Sequence, residues 1–192
     1  MADNMVTAMP TTLDEPVSET IMRDLRQVAD KLKVVLLPRE DQEGVVQKLK
    51  DWDLWGPLLV CLTLSLLLSV TAPESQKALV FASVFFVIWC GAAVVTLNAQ
   101  LLGGTISFFQ SVCVLGYCVF PLTIAAIVCV FLSLIGLGHI AVRCIVVVLG
   151  FVWATRASVV FIAKIIKAER KILAVYPVFF FYTFLSWMIL LQ

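Results

Sequence analysis

The sequence changes character at residues 51–57, which read Asp-Trp-Asp-Leu-Trp-Gly-Pro. Eleven of the thirteen acidic residues lie at or before Asp53, and the chain beyond this point is almost uninterrupted apolar sequence. Tryptophan rings favour the headgroup region of a bilayer, and proline suits the first turn of a helix. The stretch therefore predicts the point at which the chain passes from water into a membrane.

Composition supports this interpretation. The chain is 61% hydrophobic and 14% charged, whereas a soluble domain is nearer about 45–50% apolar and about 25% charged. We predict an all-α membrane protein with five transmembrane helices in residues 54–192. The predicted spans cover about residues 54–72, 78–102, 106–134, 140–162 and 172–191. Gly103-Gly104 predicts a tight turn after the second span, and Pro121 predicts a kink inside the third.

The first 53 residues divide into two parts. Residues 1–17 show no periodicity and predict a disordered tail. Residues 18–53 predict a cytosolic segment with an amphipathic helix and a charged connector, because apolar residues recur at spacings of four and three. This stripe consists of Ile21, Leu25, Val28, Leu32 and Val35. Two interpretations remain open: the helix packs on its own membrane domain or on the bilayer surface, or it docks a soluble partner.

Basic residues predict the orientation. Seven Lys or Arg residues precede the first span and four lie between residues 164 and 171, whereas only Lys77 and Arg143 fall near loops of the opposite side. Because cytosolic loops carry the excess of basic residues, we expect the N-terminus in the cytosol. Five spans then place the C-terminus in the lumen.

Recognisable catalytic chemistry is absent from the sequence. It contains no HExxH, GxSxG or P-loop motif, no CxxC pair, and a single histidine, His139. The predicted spans hold no acidic residue in their interiors, apart from Asp53 at the start of the first. We therefore predict no enzyme, no catalytic or metal-binding residue, no cofactor and no nucleic-acid partner.

Arg156 is a charge inside the fourth predicted span, next to a stripe of small residues, Gly150, Ala154 and Ser158. Such stripes permit close helix packing, and this one makes a homo- or hetero-oligomer a reasonable expectation. Three interpretations of Arg156 stay open. It reaches towards the cytosolic headgroups, it supports helix packing, or it serves a ligand, lipid or ion.

Several short segments resemble one known family. The first motif, Asp53, Leu54, Trp55, Gly56 and Pro57, is similar to the D-L-[YW]-G-P signature that opens the first span of the Yip domain family, named after Ypt/Rab-interacting proteins. Residues 108–118 resemble that family's third span, where a Gly-Tyr pair is typical, here Gly116 and Tyr117. Residues 20–25, 101–104, 174–179 and 186–190 resemble the branch that contains the sixth vertebrate member.

The resemblance implies a non-enzymatic adaptor or scaffold of Golgi membranes, and also of the endoplasmic reticulum and transport vesicles. It implies contacts with Rab-type GTPases and other Yip-family proteins in vesicle-mediated transport and Golgi organisation. Two alternatives remain. One is a membrane-shaping protein that acts through the amphipathic helix. The other is a small transporter or lipid-handling protein that uses Arg156 together with Thr96, Asn98 and Gln100.

Overall fold

The structure is a computed structural model that describes residues 17–36, 54–104, 107–165 and 171–192. Within these ranges every regular element is a helix. The seven helices are α1 (Val17–Leu36), α2 (Trp55–Thr71), α3 (Lys77–Leu101), α4 (Phe108–Cys118), α5 (Phe120–Leu134), α6 (Ile140–Ile165) and α7 (Lys171–Leu191). Most of the predicted tail and of the predicted connector lies outside the described residues.

Four helical segments are long and apolar enough to cross a membrane. They are α3, the α4–α5 pair taken together, residues 140–161 of α6 and residues 172–191 of α7. Helix α2 is apolar as well but has only 17 residues. The prediction of an all-helical protein with several membrane-spanning helices is therefore confirmed, and the number five stays a prediction.

The predicted turn after α3 has the backbone geometry that glycine permits. Gly103 has φ +83°, and its N–H donates to the Gln100 carbonyl at 2.9 Å. Gly103 thus ends the helix in the left-handed backbone conformation, which residues other than glycine rarely adopt. Helix α4 then begins with a capping box, in which the Ser107 hydroxyl accepts from the Gln110 N–H and the Gln110 side chain accepts from the Ser107 N–H.

The third predicted span is two helices rather than one kinked helix. Helix α4 ends at Cys118, α5 begins at Phe120, and Val119 between them is fully buried. Pro121 occupies the first turn of α5, where a missing N–H costs no intrahelical hydrogen bond. The proline therefore lies in the first turn of a new helix, and the break between the two helices falls two residues before it.

Helix α4 forms the centre of the bundle. Every residue from Ser111 to Cys118 is buried, and α4 contacts α1, α2, α3 and α6. The outer helices bury one face each and expose large apolar side chains on the other, as expected of a surface that faces lipid. One buried polar contact joins α6 to α7, where the hydroxyls of Ser158 and Tyr182 lie 2.6 Å apart.

The small-residue stripe of α6 packs inside the chain. A Cβ on Gly150 would lie 2.8 Å from the Ala125 Cβ and 3.2 Å from the Pro121 carbonyl oxygen, so glycine sets the approach of α6 to α5. Ala154 and Ser158 are fully buried. The stripe therefore serves packing between helices of one chain, and its surface is already covered where a second copy would need it.

Candidate partner-docking site

Two segments sixty residues apart meet near the start of α2. A Cβ on Gly56 would overlap the Tyr117 phenol, 2.6 Å from its Cε1, and a Cβ on Gly116 would lie 2.5 Å from the Pro57 Cβ. Each glycine thus makes room for the residue that faces it on the other helix. Tyr117 is fully buried as a result. The two sequence motifs form one contact between α2 and α4.

This contact lies well inside the bundle along α4. Tyr117 is the tenth residue of α4, which places it about 13 Å from the first residue of that helix at 1.5 Å per residue. Gly56 is the second residue of α2. The first two turns of α4 therefore extend beyond the start of α2. We call this end of the bundle, with the starts of α2 and α4, the α1 end.

Helix α1 packs beside this extension. It contacts α2, α4 and α6. Val28 is buried, with 7% of its surface exposed, and Leu32 packs against the core. The Lys31 Nζ lies 6.0 Å from the centre of the Tyr117 ring, within the range of a cation–π interaction. The second half of α1 is therefore attached to the motif contact.

The first half of α1 has a different environment. Ile21 is 55% exposed, Met22 54% and Leu25 47%. The predicted stripe is thus divided, since Val28 and Leu32 pack on the bundle while Ile21 and Leu25 on the same face of the helix are exposed. Met22 does not belong to the predicted stripe because it lies about 100° from Ile21 around the helix. The side chain of Val35 lies outside the described residues.

The outer residues of the first motif do not take part in the glycine contact. Trp55 is 66% exposed and faces away from the bundle core. Leu54 occupies the N-cap position of α2 and forms no side-chain capping bond. Asp53, the first residue of this motif, lies outside the described residues. The structure therefore brings Gly56, Pro57, Gly116 and Tyr117 together and leaves Trp55 at the surface.

Residues 33–188 match the Yip1 domain. The chain belongs to the Yip1 domain family. It is 52% identical over 184 residues to protein YIPF6 of Danio rerio, which covers 94% of this chain and 75% of that protein. The YIPF6 homolog of Dictyostelium discoideum is 50% identical, covering 95% of this chain and 97% of the relative. Protein YIP4 of Schizosaccharomyces pombe is 42% identical over 94% of this chain and 76% of the relative.

The resemblance inferred from the two motifs is therefore confirmed, including the branch of the sixth vertebrate member. The names of these relatives are not enzyme names, which agrees with the prediction of a non-enzyme. No solved structure matches the chain. In the described part of this Yip1 domain, no three His, Cys, Asp or Glu residues lie close enough together to hold a metal ion.

Arg156 lies on the outside of the Yip1 domain. It is exposed on α6, on the face that also exposes Leu149, Val152 and Trp153. An arginine that carries a substrate through a bundle has to face its interior or a water-filled cavity. The position on the outer face therefore gives the transporter interpretation no support.

The polar residues near the end of α3 serve helix structure. The Thr96 hydroxyl is buried and donates to the Ala92 carbonyl at 2.6 Å. The Asn98 side chain donates to the Leu173 carbonyl at 3.0 Å and so ties the end of α3 to the start of α7. Gln100 is exposed. The structure thus does not bring these side chains together with Arg156.

Proposed function

We propose that this protein is a non-enzymatic adaptor or scaffold of Golgi and endoplasmic reticulum membranes and of transport vesicles. It contacts Rab-type GTPases and related Yip-family proteins in vesicle-mediated transport and Golgi organisation. The observation that carries the proposal is the division of α1 into an attached half and an exposed half. Membership of the Yip1 domain family supports it.

The exposed half of α1 has the features of a helix that binds a partner. Ile21 and Leu25 are four residues apart and Met22 extends their surface, so three large apolar side chains stand close together. Helices of this kind insert such anchors into an apolar groove of another protein. The attached half fixes the direction in which the anchors point. The charge distribution along the chain supports a cytosolic position for them.

The test replaces the anchors without touching the attached half. We expect Ile21→Ser with Leu25→Ser to lower the affinity for a Rab-type GTPase at least about tenfold, because two apolar anchors are lost. The measurement is binding of the purified, detergent-solubilised chain to a panel of purified, prenylated Rab-type GTPases. Gln27→Ser is the matched control, since Gln27 is exposed on the polar side of the same helix.

Unchanged binding of every GTPase in the panel by the double variant would contradict the role of α1. If the wild-type chain bound none of them, the adaptor proposal itself would be wrong. The two results are distinguishable. Evidence against α1 requires that the wild-type chain binds a GTPase and that the double variant binds it equally well, whereas evidence against the adaptor proposal is the lack of any binding by the wild-type chain.

Membrane shaping is the second candidate, since the same exposed residues also suit insertion into the headgroup region of a bilayer. That function predicts that the wild-type chain converts liposomes into tubules and that Ile21→Ser with Leu25→Ser abolishes the effect. Liposomes that stay spherical with the wild-type chain exclude it. Electron microscopy of proteoliposomes distinguishes the two outcomes.

A further inference from the structure

The end of the bundle opposite α1 contains a cavity of about 190 Å³. We call it the Arg143 pocket. Its walls come from the end of α2, the end of α5, the start of α6 and the end of α7, and its polar lining residues include Thr71, Ser133, Arg143 and Gln192. A charged side chain thus faces a cavity where four helices meet.

Arg143 carries its charge into this pocket, and no counter-ion for it is found among the residues that the structure describes. It is the fourth residue of α6 and is half-buried. Its Nη2 donates to the Ile189 carbonyl at 3.3 Å, and its buried Nε has no hydrogen-bond partner among the described residues. Within the same ranges no carboxylate forms an ion pair with it. The Cys129 side chain also forms a hydrogen bond with the guanidinium. Because a guanidinium has five N–H donors, part of its capacity is still unused.

The guanidinium of Arg143 itself favours an anion. The first turn of α6 places the positive end of one helix dipole in the pocket, whereas the ends of α2, α5 and α7 bring negative dipole ends to it. The attraction for an anion therefore comes from the unused N–H groups of Arg143. The Ser133 hydroxyl lies at the exposed rim of the pocket and offers a further donor. A partly desolvated cation is stabilised by an oxyanion that accepts several hydrogen bonds, and guanidinium geometry fits phosphate oxygens especially well.

A partly apolar groove adjoins the pocket. This second cavity has a volume of about 690 Å³ and shares Thr71 and Gln192 with the first. Its further lining combines apolar residues, among them Leu79, Val80 and Met188, with the polar side chains of Gln76 and Ser83. A charged pocket that opens beside a partly apolar groove at the end of a membrane bundle has the shape of a site for a molecule with an anionic head and a hydrocarbon tail.

We propose that the Arg143 pocket binds an anionic glycerophospholipid, with the headgroup phosphate at Arg143 and an acyl chain along the adjoining groove. The groove distinguishes a lipid from a soluble phosphate, which would need only the pocket. The lipid phosphate supplies a counter-ion that none of the described residues gives to Arg143. The bound lipid joins α2, α5, α6 and α7 at the end of the bundle where α1 is absent.

The test uses the full chain in detergent, titrated with phosphatidylinositol and with phosphatidylcholine, and bound lipid is counted by native mass spectrometry. We expect the wild-type chain to bind phosphatidylinositol about tenfold more tightly than phosphatidylcholine, and Arg143→Gln to abolish the preference. Arg156→Gln is the matched control, because it removes an exposed arginine from the same helix. It should leave the preference unchanged.

A second variant separates lipid binding from folding. Ser133→Leu fills the pocket from its rim and leaves Arg143 in place, so it should also lower phosphatidylinositol binding by about tenfold. Thermal unfolding checks both variants, and Ser133→Leu decides the question if Arg143→Gln fails to fold.

Three outcomes would overturn the proposal. The first is that the folded Arg143→Gln or Ser133→Leu variant keeps the lipid preference of the wild-type chain. The second is that Arg156→Gln loses the preference to the same extent as Arg143→Gln. The third is that millimolar inorganic phosphate displaces the lipid. The last result would assign the pocket to a soluble phosphate.

Discussion

Across the contact between α2 and α4, Gly56 faces Tyr117 and Gly116 faces Pro57. A methyl group on either glycine would collide with the residue that faces it. The Tyr117 ring is fully buried, so it can move only if the side chains packed around it move as well. Four residues from two distant segments thus depend on one another's shape. The family motifs at this contact have a structural explanation before any role in binding is considered.

We expect Gly56→Ala to destabilise the bundle by about 1–3 kcal/mol, the usual cost of adding a methyl group to a packed core. Unfolding in mixed micelles measures the loss. The same substitution should cost much less when Tyr117→Leu is also present, because the ring that collides with the new Cβ is gone. A cost that is equal in both backgrounds would contradict the explanation.

The sequence identified the members of this contact but not the contact itself. Motif residues such as Gly56 and Tyr117 stand out because they resemble a family signature. Nothing in local sequence states that a glycine meets a tyrosine sixty positions away, since both simply fall in apolar helices. Arg143 was missed for a related reason. Its position near a loop was used only to predict the orientation of the chain, although an arginine flanked by Ala141-Val142 and Cys144-Ile145 is a signal of a partly buried charge.

At the scale of elements, the two halves of α1 have different partners. Val28 and Leu32 attach the helix to the bundle, whereas Ile21 and Leu25 remain exposed. The sequence predicted the stripe from its spacing, and both of its interpretations described one surface with one partner. The spacing of apolar residues predicts which of them share one face of the helix. How many of them pack against the bundle depends on how far the bundle extends along α1, which the spacing does not give.

We expect Val28→Ser to loosen α1 from the bundle while the bundle itself stays folded. Loss of a buried valine contact is worth about 1.5–2 kcal/mol, so backbone amides of α1 should exchange with deuterium about tenfold faster or more. Hydrogen-exchange mass spectrometry measures this. Ile21→Ser is the control, because Ile21 is on the same helix but is more than half exposed. Equal acceleration by both variants would show that α1 is not held through Val28.

The long apolar helices were predicted to within a few residues, because hydropathy and the turn residues Gly103 and Gly104 delimit them. The predicted span 78–102 corresponds to Lys77–Leu101, and 172–191 to Lys171–Leu191. The division of the third span at Val119 was not predicted. A proline signals that a helix changes there, but only packing decides whether the chain bends or starts a new helix.

At the scale of the whole molecule, the charge distribution predicts a chain with its N-terminus in the cytosol and its C-terminus in the lumen. An Asn-Ser-Thr glycosylation tag fused after Gln192 should be modified in cells, because the modifying enzyme acts only on the lumenal side. The same tag before Met1 is the control and should stay unmodified. A gel-mobility shift that disappears with a glycosidase reports the result. Modification of both tags, or of neither, would contradict an odd number of spans.

The distance between the two arginines of α6 can be compared with the thickness of a bilayer. Arg143 and Arg156 are thirteen residues apart, about 20 Å along the helix, whereas the hydrocarbon layer of an average bilayer is about 30 Å thick. Helix α2, with 17 residues, spans only about 25 Å. Both helices fit a thin bilayer at lower cost than a thick one, in which the guanidinium groups must stretch further to reach water. Because the membrane of the endoplasmic reticulum is a few ångströms thinner than the plasma membrane, α2 and the arginine pair of α6 meet less hydrophobic mismatch in the thinner membrane.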